Sequence, residues 1–304
     1  MAETNTDGFW VVIPTYNRAR DLMECLESLK IARVPLSQII VVDNHSTDDT
    51  QNEVQKKFPE VVLIALDDNY GATGASNVGF KKALDQGAVY ILRLDSDTVV
   101  AEDFLFPLLN AANNFPEVGI ISPKIYYFNS KDEIWFAGAD AHPWHFGTIN
   151  DHRHEKDNPG NSQYREMDYA WGAAMLIKRA VLEQSKGFDT SFFVYYEEVD
   201  FCTRVRKLGF KIAYVPESHI WHKVGSITHS GWSAYHWNRS KLLLYRKHAR
   251  NFFHRWLLTL YAFTYAIISP LFKGQTGNRG PLKDALRGFQ DGWKIKIDQN
   301  NSSL

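Results

Sequence analysis

Cysteine is nearly absent from this 304-residue chain. Cys25 and Cys202 lie far apart without a CxxC partner, which excludes a readable disulfide framework or thiolate zinc site and fits a reducing cytoplasm. Net charge is nearly absent too: 34 basic against 35 acidic side chains leave -1, so no overall basic field points to nucleic acid. The first residues, Met-Ala-Glu-Thr-Asn-Thr-Asp-Gly, lack the positive and apolar regions of a secretory signal, and a cytoplasmic protein is expected. An apolar run of the ~20 residues needed to span a bilayer is also missing. What the chain has is bulk, with 44% hydrophobic residues, enough for a full core, and 14% aromatics of the kind that stack on sugars.

Apolar, β-branched runs alternate with helical periodicity through the first hundred residues. Strands are predicted at 9–13, 38–42, 61–65 and 90–94, and helices at 21–30, 47–58 and 74–86. Such alternation implies right-handed crossovers and a mainly parallel, Rossmann-like α/β sheet flanked by helices, with ligands at the carboxyl ends of the strands. Polar, chemistry-bearing residues sit there: Pro14-Thr15-Tyr16-Asn17, Asp43-Asn44, Asp67 to Gly71 and Asp95-Ser96-Asp97. Residues 129–169 read as long loops and short strands, periodicity resumes over 171–182, another strand is predicted at 210–215, and helices follow beyond 235.

Asp95 and Asp97, two residues apart, place hard carboxylate oxygens on one side of an extended segment, suited to Mg2+ or Mn2+ bridging a diphosphate. The competing reading is a helix cap for a segment beginning at Val99. Asp43 suits a base N–H or a ribose. The small residues from Asn69 to Gly79, Gly71 and Gly74 among them, permit close backbone approach to phosphate or ribose, or tight helix packing. Glu197, Glu198 and Asp200 crowd three carboxylates among aromatics, an environment that raises a carboxyl pKa into the range of a useful base, or else the acidic first turn of a helix ending near 208–209. His222, directly after an apolar run, is a candidate third metal ligand. His142, His145, His152 and His154 match no closed zinc spacing and are expected in a surface loop near the acceptor.

Taken in order, Val11 to Asn17, Val41 to Asp48, Asn69 to Gly79, Leu94 to Asp97, Gly187-Phe188-Asp189, Glu197 to Asp200, and Val215-Pro216-Glu217 through His222-Lys223 resemble the family 2 glycosyltransferases of the GT-A fold. The likeness covers roughly residues 9–250 and is nearest to bacterial rhamnosyltransferases and galactofuranosyltransferases. It implies an inverting enzyme that takes a sugar from a nucleotide diphosphate donor, with dTDP-rhamnose leading and a UDP donor as the other choice. The acceptor implied is a glycan or a lipid-linked saccharide. Thr15, Tyr16 and Asp43 would hold base and ribose, Asp95 the ribose and diphosphate, and Asp97, His222 and Asp95 the metal, Mn2+ or Mg2+. Glu198 would be the base, with Glu197 beside it at the acceptor, although many relatives carry Asp where this chain has Glu198. Pro14, Asn17, Asn69, Gly71, Gly74, Asn77, Ser96, Trp171 and Gly172 complete the nucleotide-sugar set. Readings from other classes are a nucleotidyltransferase and an inactive carbohydrate-binding protein of the same fold. The first expects a Gly-rich, basic loop after the first strand, where this chain has Pro14 to Asn17.

The expected organisation is a catalytic domain over 1–234, with a nucleotide part at about 9–100 and an acceptor part at 101–234, followed by C-terminal helices over 235–304. The stretch Trp256 to Phe272 carries no formal charge and is flanked by Arg246, Lys247, Arg250, Arg255 and Lys273. A second amphipathic helix follows over 282–294. This pattern suits contact with a membrane surface through 251–304, peripheral on the inner face, more than a spanning segment.

Overall fold

A computed structural model of the chain describes residues 7–149, 152–224, 231–272 and 282–297. The first half is a strand–helix alternation: β1 Phe9–Thr15, α1 Ala19–Ile31, β2 Ile39–Asp43, α2 Thr50–Lys57, β3 Val62–Ala65, α3 Gly71–Asp85 and β4 Tyr90–Leu94. The second half is mixed, with β5 Thr98–Val100, α4 Leu105–Asn114, β6 Val118–Tyr127, β7 Ser130–Phe136, β8 Asp140–Ala141, β9 Thr148–Ile149, β10 Arg165–Met167, β11 Ala174–Lys178, α5 Arg179–Ser185, α6 Glu197–Lys207 and β12 Lys211–His222. Helices α7 Gly231–His248, α8 Phe252–Phe272 and α9 Leu282–Lys294 follow.

One 10-stranded sheet runs in the order β10-β12-β6-β11-β4-β1-β2-β3, with β5 on β12 and β7 on β6. The parallel pairs β1–β2, β1–β4, β2–β3 and β6–β12 fix one direction, and β11, antiparallel to both β4 and β6, joins the two halves without reversing it. The sheet is therefore largely parallel and flanked by helices, as the sequence implies. Continuous apolar runs such as Phe9 to Ile13 are buried on both faces, as central parallel strands require.

Departures from the sequence reading gather at the strand ends. Strand β1 runs past Pro14 to Thr15, because pairing with β4 stops at Val12 while pairing with β2 continues to Thr15 opposite Asp43. The missing proline N–H thus falls where one flank of the strand is already open. Helix α3 starts at Gly71, not Gly74. Helix α2 starts at Thr50, not Thr47, since Asn17 Oδ1 accepts from the Thr47 N–H at 2.7 Å and Asp48 Oδ1 from the Thr50 N–H at 3.1 Å. The segment at Val99 opens no helix: it is β5, paired with the far end of β12 so that His222 lies opposite Thr98. The strand predicted at 210–215 extends to His222 for the same reason.

The expected boundary at 234/235 falls inside α7, and α7 is tied to the segment before α6. Lys247 Nζ lies 2.5 Å from Asp189 Oδ2 and 2.8 Å from Asp200 Oδ1, and His248 Nε2 is 2.8 Å from Asp200 Oδ1. Ser240 Oγ donates to the Val194 carbonyl and Arg239 to that of Ser191. Helix α9 crosses α7 closely at Gly288, where a Cβ would stand 2.1 Å from the Tyr235 carbonyl oxygen. Among the described residues no helix is long and apolar enough to cross a membrane.

Asp200 is fully buried, so removing a cation from it leaves an under-compensated charge. Lys247→Met is expected to lower stability by about 3 kcal/mol in urea unfolding. Lys81→Met, whose partner Asp85 is solvent-exposed, should change it by less than about 1 kcal/mol.

Candidate active site

The carboxyl ends of β1 and β2 bring two under-satisfied oxygens side by side. Thr15 and Asp43 are register partners, both buried, and Thr15 Oγ1 and Asp43 Oδ1 have no hydrogen-bond partner. The other Asp43 oxygen accepts from the Ser46 N–H at 3.2 Å and from Gln51 Nε2 at 2.6 Å. A buried polar atom without a partner is costly, and these two stand at the carboxyl ends of parallel strands, the side on which such sheets take ligands. Tyr16 is exposed beside them. Pro14 is half-buried opposite Val42. Asn17, at φ 52, joins the two loops, its N–H donating to Ser46 Oγ at 2.8 Å.

The start of α3 is built by asparagines. Asn44 Nδ2 donates to Asn69 Oδ1 at 2.9 Å and to the Gly71 carbonyl at 3.1 Å, and Asn44 Oδ1 accepts from the Tyr70 N–H. Gly71 has φ +71, and a Cβ there would stand 2.3 Å from the Phe193 carbonyl, so no other residue fits. Gly74 lies against Tyr70. Both ends of the Asn77 amide are engaged by the Phe188 backbone, at 2.8 and 2.9 Å. Asn44, Asn69 and Asn77 thus shape the turn through their own hydrogen bonds.

The Asp95-Ser96-Asp97 turn lies between β4 and β5, and the β5–β12 pairing delivers His222 to it. His222 Nε2 is 3.0 Å from Asp97 Oδ1 and 3.9 Å from Asp95 Oδ2, and Arg18 approaches Asp97 to 4.0 Å. Ser96 is buried within the turn. Ligand atoms of Asp95, Asp97 and His222 all lie within 4.8 Å of one another, the one such group among the described residues. Two carboxylates and an imidazole form a donor set that fits a divalent cation such as Mn2+, and the His222 Nδ1 lies buried without a partner behind it. Burial opposes the Asp97 charge, but the hydrogen bond and charge of His222, with Arg18, outweigh it and hold the carboxyl below the ordinary range.

Arg93, buried on β4, connects the parts. It donates to Asp95 Oδ1 at 2.5 Å and to the Gly172 carbonyl. Trp171, next to Gly172, meets the Trp135 ring edge-on at 5.0 Å, and Trp135 in turn lies 4.5 Å from the His222 ring. The Arg153 guanidinium sits over Trp171 at 4.8 Å and over Trp135 at 5.6 Å.

Glu197 and Glu198 open α6 after two left-handed residues, Tyr195 at φ 67 and Tyr196 at φ 66. Consecutive bulky residues at positive φ are strained and persist where surrounding structure holds them. Burial is the largest influence on both carboxyls. For Glu197, burial and the Glu198 charge push the pKa well above the ordinary glutamate value. For Glu198, burial raises it, while its backbone N–H, Arg93 and a hydrogen bond with Glu197 pull it back. Glu197 is therefore raised the further of the two, and Glu198 ionises first. Asp200 faces the other way, into Arg204, Lys247 and His248, and stays ionised despite burial.

The histidines at 142–154 form no metal group among the described residues. His142 and His145 stack at 3.9 Å, His145 stacks on Tyr261 of α8, and His154 pairs with Glu133. Arg93, Trp135, Arg153 and Gln51 are the members that sequence reasoning missed. An arginine two residues before Asp95 on a buried strand was the available signal.

Residues 10–185 match the family model described as glycosyl transferase family 2. Among curated proteins, the N-acetylglucosaminyl-diphospho-decaprenol L-rhamnosyltransferase of Mycobacterium tuberculosis is 28% identical over 240 residues, which is 71% of this chain and 76% of that protein. The low-salt glycan biosynthesis hexosyltransferase Agl10 of Haloferax volcanii is 25% identical over 217 residues, 70% of this chain and 66% of that one. Among solved structures, GalNAc-T7 with UDP, GalNAc and Mn2+ superposes with a TM-score of 0.65 at 17% identity over 93% of this chain, which spans 53% of GalNAc-T7. The mannosyltransferase PcManGT of Pyrobaculum calidifontis, in complex with GDP-Man and Mn2+, gives 0.55 at 18% identity over 95% of this chain and 76% of that one. These structural likenesses show the GT-A fold.

The folded state holds a proton on Glu197 that the unfolded chain, with a glutamate pKa of about 4.3, releases. Stability therefore falls as pH rises through that interval. Glu197→Gln removes the titration and is expected to melt higher than wild type at pH 7. The gap should close below roughly pH 4, where both states are protonated. An equal offset at both pH values in thermal melts would refute the assignment.

Proposed function

Because the chain belongs to glycosyl transferase family 2, an enzyme family that transfers sugar from a nucleotide donor, we propose that it inverts the anomeric centre, with Glu198 as base and a divalent cation at Asp95, Asp97 and His222. One observation carries this reading: Arg93 donates to Asp95 of the metal-capable triad, and its charge also acts on the glutamate pair.

In this scheme Thr15 and Asp43 bind base and ribose through their unpartnered oxygens. Glu198, ionised, removes the proton of an acceptor hydroxyl, and that oxygen forms the bond to the anomeric carbon while the bond from carbon to diphosphate oxygen breaks and its electron pair leaves with the nucleoside diphosphate. The cation, when bound, supplies positive charge against the departing diphosphate. Glu197, protonated, donates a hydrogen bond at the same place and limits the repulsion that two adjacent carboxylates would suffer. The donor we favour is dTDP-rhamnose and the acceptor a saccharide on a lipid diphosphate, supported by the name of the mycobacterial relative.

A lipid-linked acceptor calls for membrane contact, and α8 offers the surface. Phe253, Trp256, Leu260 and Phe263 recur at helical spacing and are all exposed, Phe253 at 66%, with Phe252 at 84% beside them and Arg255 between. Aromatic and cationic side chains together suit the headgroup region of an anionic bilayer.

Thermal stabilisation by a panel of nucleotide sugars with Mn2+ is expected to single out one donor. Asp97→Ala should lose the stabilisation, whereas Glu198→Gln should keep it and lose transfer by at least ~10²-fold. The wild-type rate should fall as pH drops through the raised Glu198 pKa, above the ordinary ~4.3. Wild-type transfer by Glu198→Gln would remove it as base. In flotation with phosphatidylglycerol vesicles, the double substitution Phe253→Ser and Trp256→Ser should leave most of the protein at the bottom; co-flotation at the wild-type level would exclude α8 as the contact.

A further inference from the structure

An aromatic cluster packs on the segment that leads into the glutamate pair. The first turns of α7 set Trp232, His236 and Trp237 against the segment that leads into α6. The Tyr195 ring meets Trp232 edge-on at 6.3 Å and Trp237 at 5.1 Å, and its hydroxyl bonds to Ser233. His236 stacks on Phe193 at 5.0 Å and lies 4.4 Å from Trp232. The Phe193 carbonyl, on its other side, accepts the Ala72 N–H at the start of α3. One short segment therefore touches the donor-side helix, the rings of α7 and, two residues beyond Tyr195, the carboxylate pair.

Trp232 remains 52% exposed in this cluster. Tryptophan is normally well covered, so a half-bare indole packed on Tyr195, in the segment that leads into the glutamate pair, has a face available to a ligand. Burial and Arg239 hold His236 down to about 4, so it is a neutral ring near pH 7. Arg239 itself is engaged with the Ser191 carbonyl. The cluster is thus aromatic and uncharged, and the segment it packs on runs directly into Glu197 and Glu198. A flat apolar face edged by hydroxyl and imidazole groups matches one ligand class well, a neutral pyranose, whose axial C–H bonds cover the indole while its hydroxyls reach the polar edge.

We propose that Trp232, with Tyr195 and His236, forms a stacking platform for the acceptor's sugar ring, placing its hydroxyl at Glu198. The platform deepens the glycosyltransferase reading above and rests on it. It commits the acceptor end to a saccharide whatever carrier follows, and it makes Trp232 a determinant of acceptor choice that the donor does not feel.

The test uses the intact chain with Mn2+ and UDP or dTDP present, and four probes: the methyl glycosides of glucose, galactose, N-acetylglucosamine and rhamnose at millimolar concentration. Saturation-transfer NMR should show at least one glycoside receiving magnetisation, mainly at its ring C–H protons. Trp232→Ala should weaken that transfer about fivefold, the worth of one ring contact, and Trp232→Phe should retain most of it. Thermal stabilisation by nucleotide with Mn2+ should be the same in all three proteins. Unchanged transfer in Trp232→Ala overturns the platform, as does silence from all four glycosides while nucleotide still stabilises. Loss of nucleotide stabilisation in Trp232→Ala with its circular dichroism intact assigns the ring to the donor instead, and loss of vesicle flotation with glycoside transfer intact assigns it to a lipid surface. Absence of both nucleotide and glycoside binding in wild type overturns the glycosyltransferase reading itself, and the platform with it.

Discussion

A single buried cation makes the rest of the candidate site possible. Asp97 finds its counter-charge in His222 and Arg18, but Asp95, Glu197 and Glu198 need another in a poorly solvated space. Arg93 supplies it from inside β4, donating to Asp95 and to the Gly172 carbonyl while its field reaches the glutamate pair. Its β11 partner, Met175, sits opposite it in register, so the same antiparallel pairing that joins the two halves of the sheet also brings Gly172 within reach. Sheet topology and site electrostatics are here one arrangement.

Much of this was legible in the sequence, for physical reasons that can be named. Strands β1, β2 and β4 announce themselves because central parallel strands are apolar on both faces, and their polar terminators, Thr15, Asp43 and Asp95, are the residues found at their carboxyl ends. Asp97 and His222 were paired by family likeness, and the pairing of β5 with β12 is what places them together; local periodicity has no access to a contact across 125 positions. The same pairing turned the expected helix at Val99 into a strand. Arg93 went unread because a charged residue inside an apolar run looks like a surface position until its neighbours are known.

The C-terminal helices were read as an addition to the catalytic domain, and α7 is more than that. Asp200 looks from sequence like a member of the acidic cluster with Glu197 and Glu198. Its partners Lys247 and His248 lie nearly fifty positions away, and Lys247 also meets Asp189. The left-handed conformation of Tyr195 and Tyr196 is invisible in composition, since neither residue favours it, and its persistence follows from hydrogen bonds that α7 makes to Ser191 and Val194.

That attachment bears on how such a chain can diverge. The region matched by the family model ends at residue 185, whereas Glu198, His222 and the Lys247 clamp all lie beyond it. Recombination that exchanged the C-terminal helices for those of another enzyme would part Lys247 from Asp189 and Asp200 and release the backbone turn ahead of α6. Helix α7 and the segment 189–200 are therefore one mechanical unit, and a substitution at Lys247 is felt at both Asp189 and Asp200.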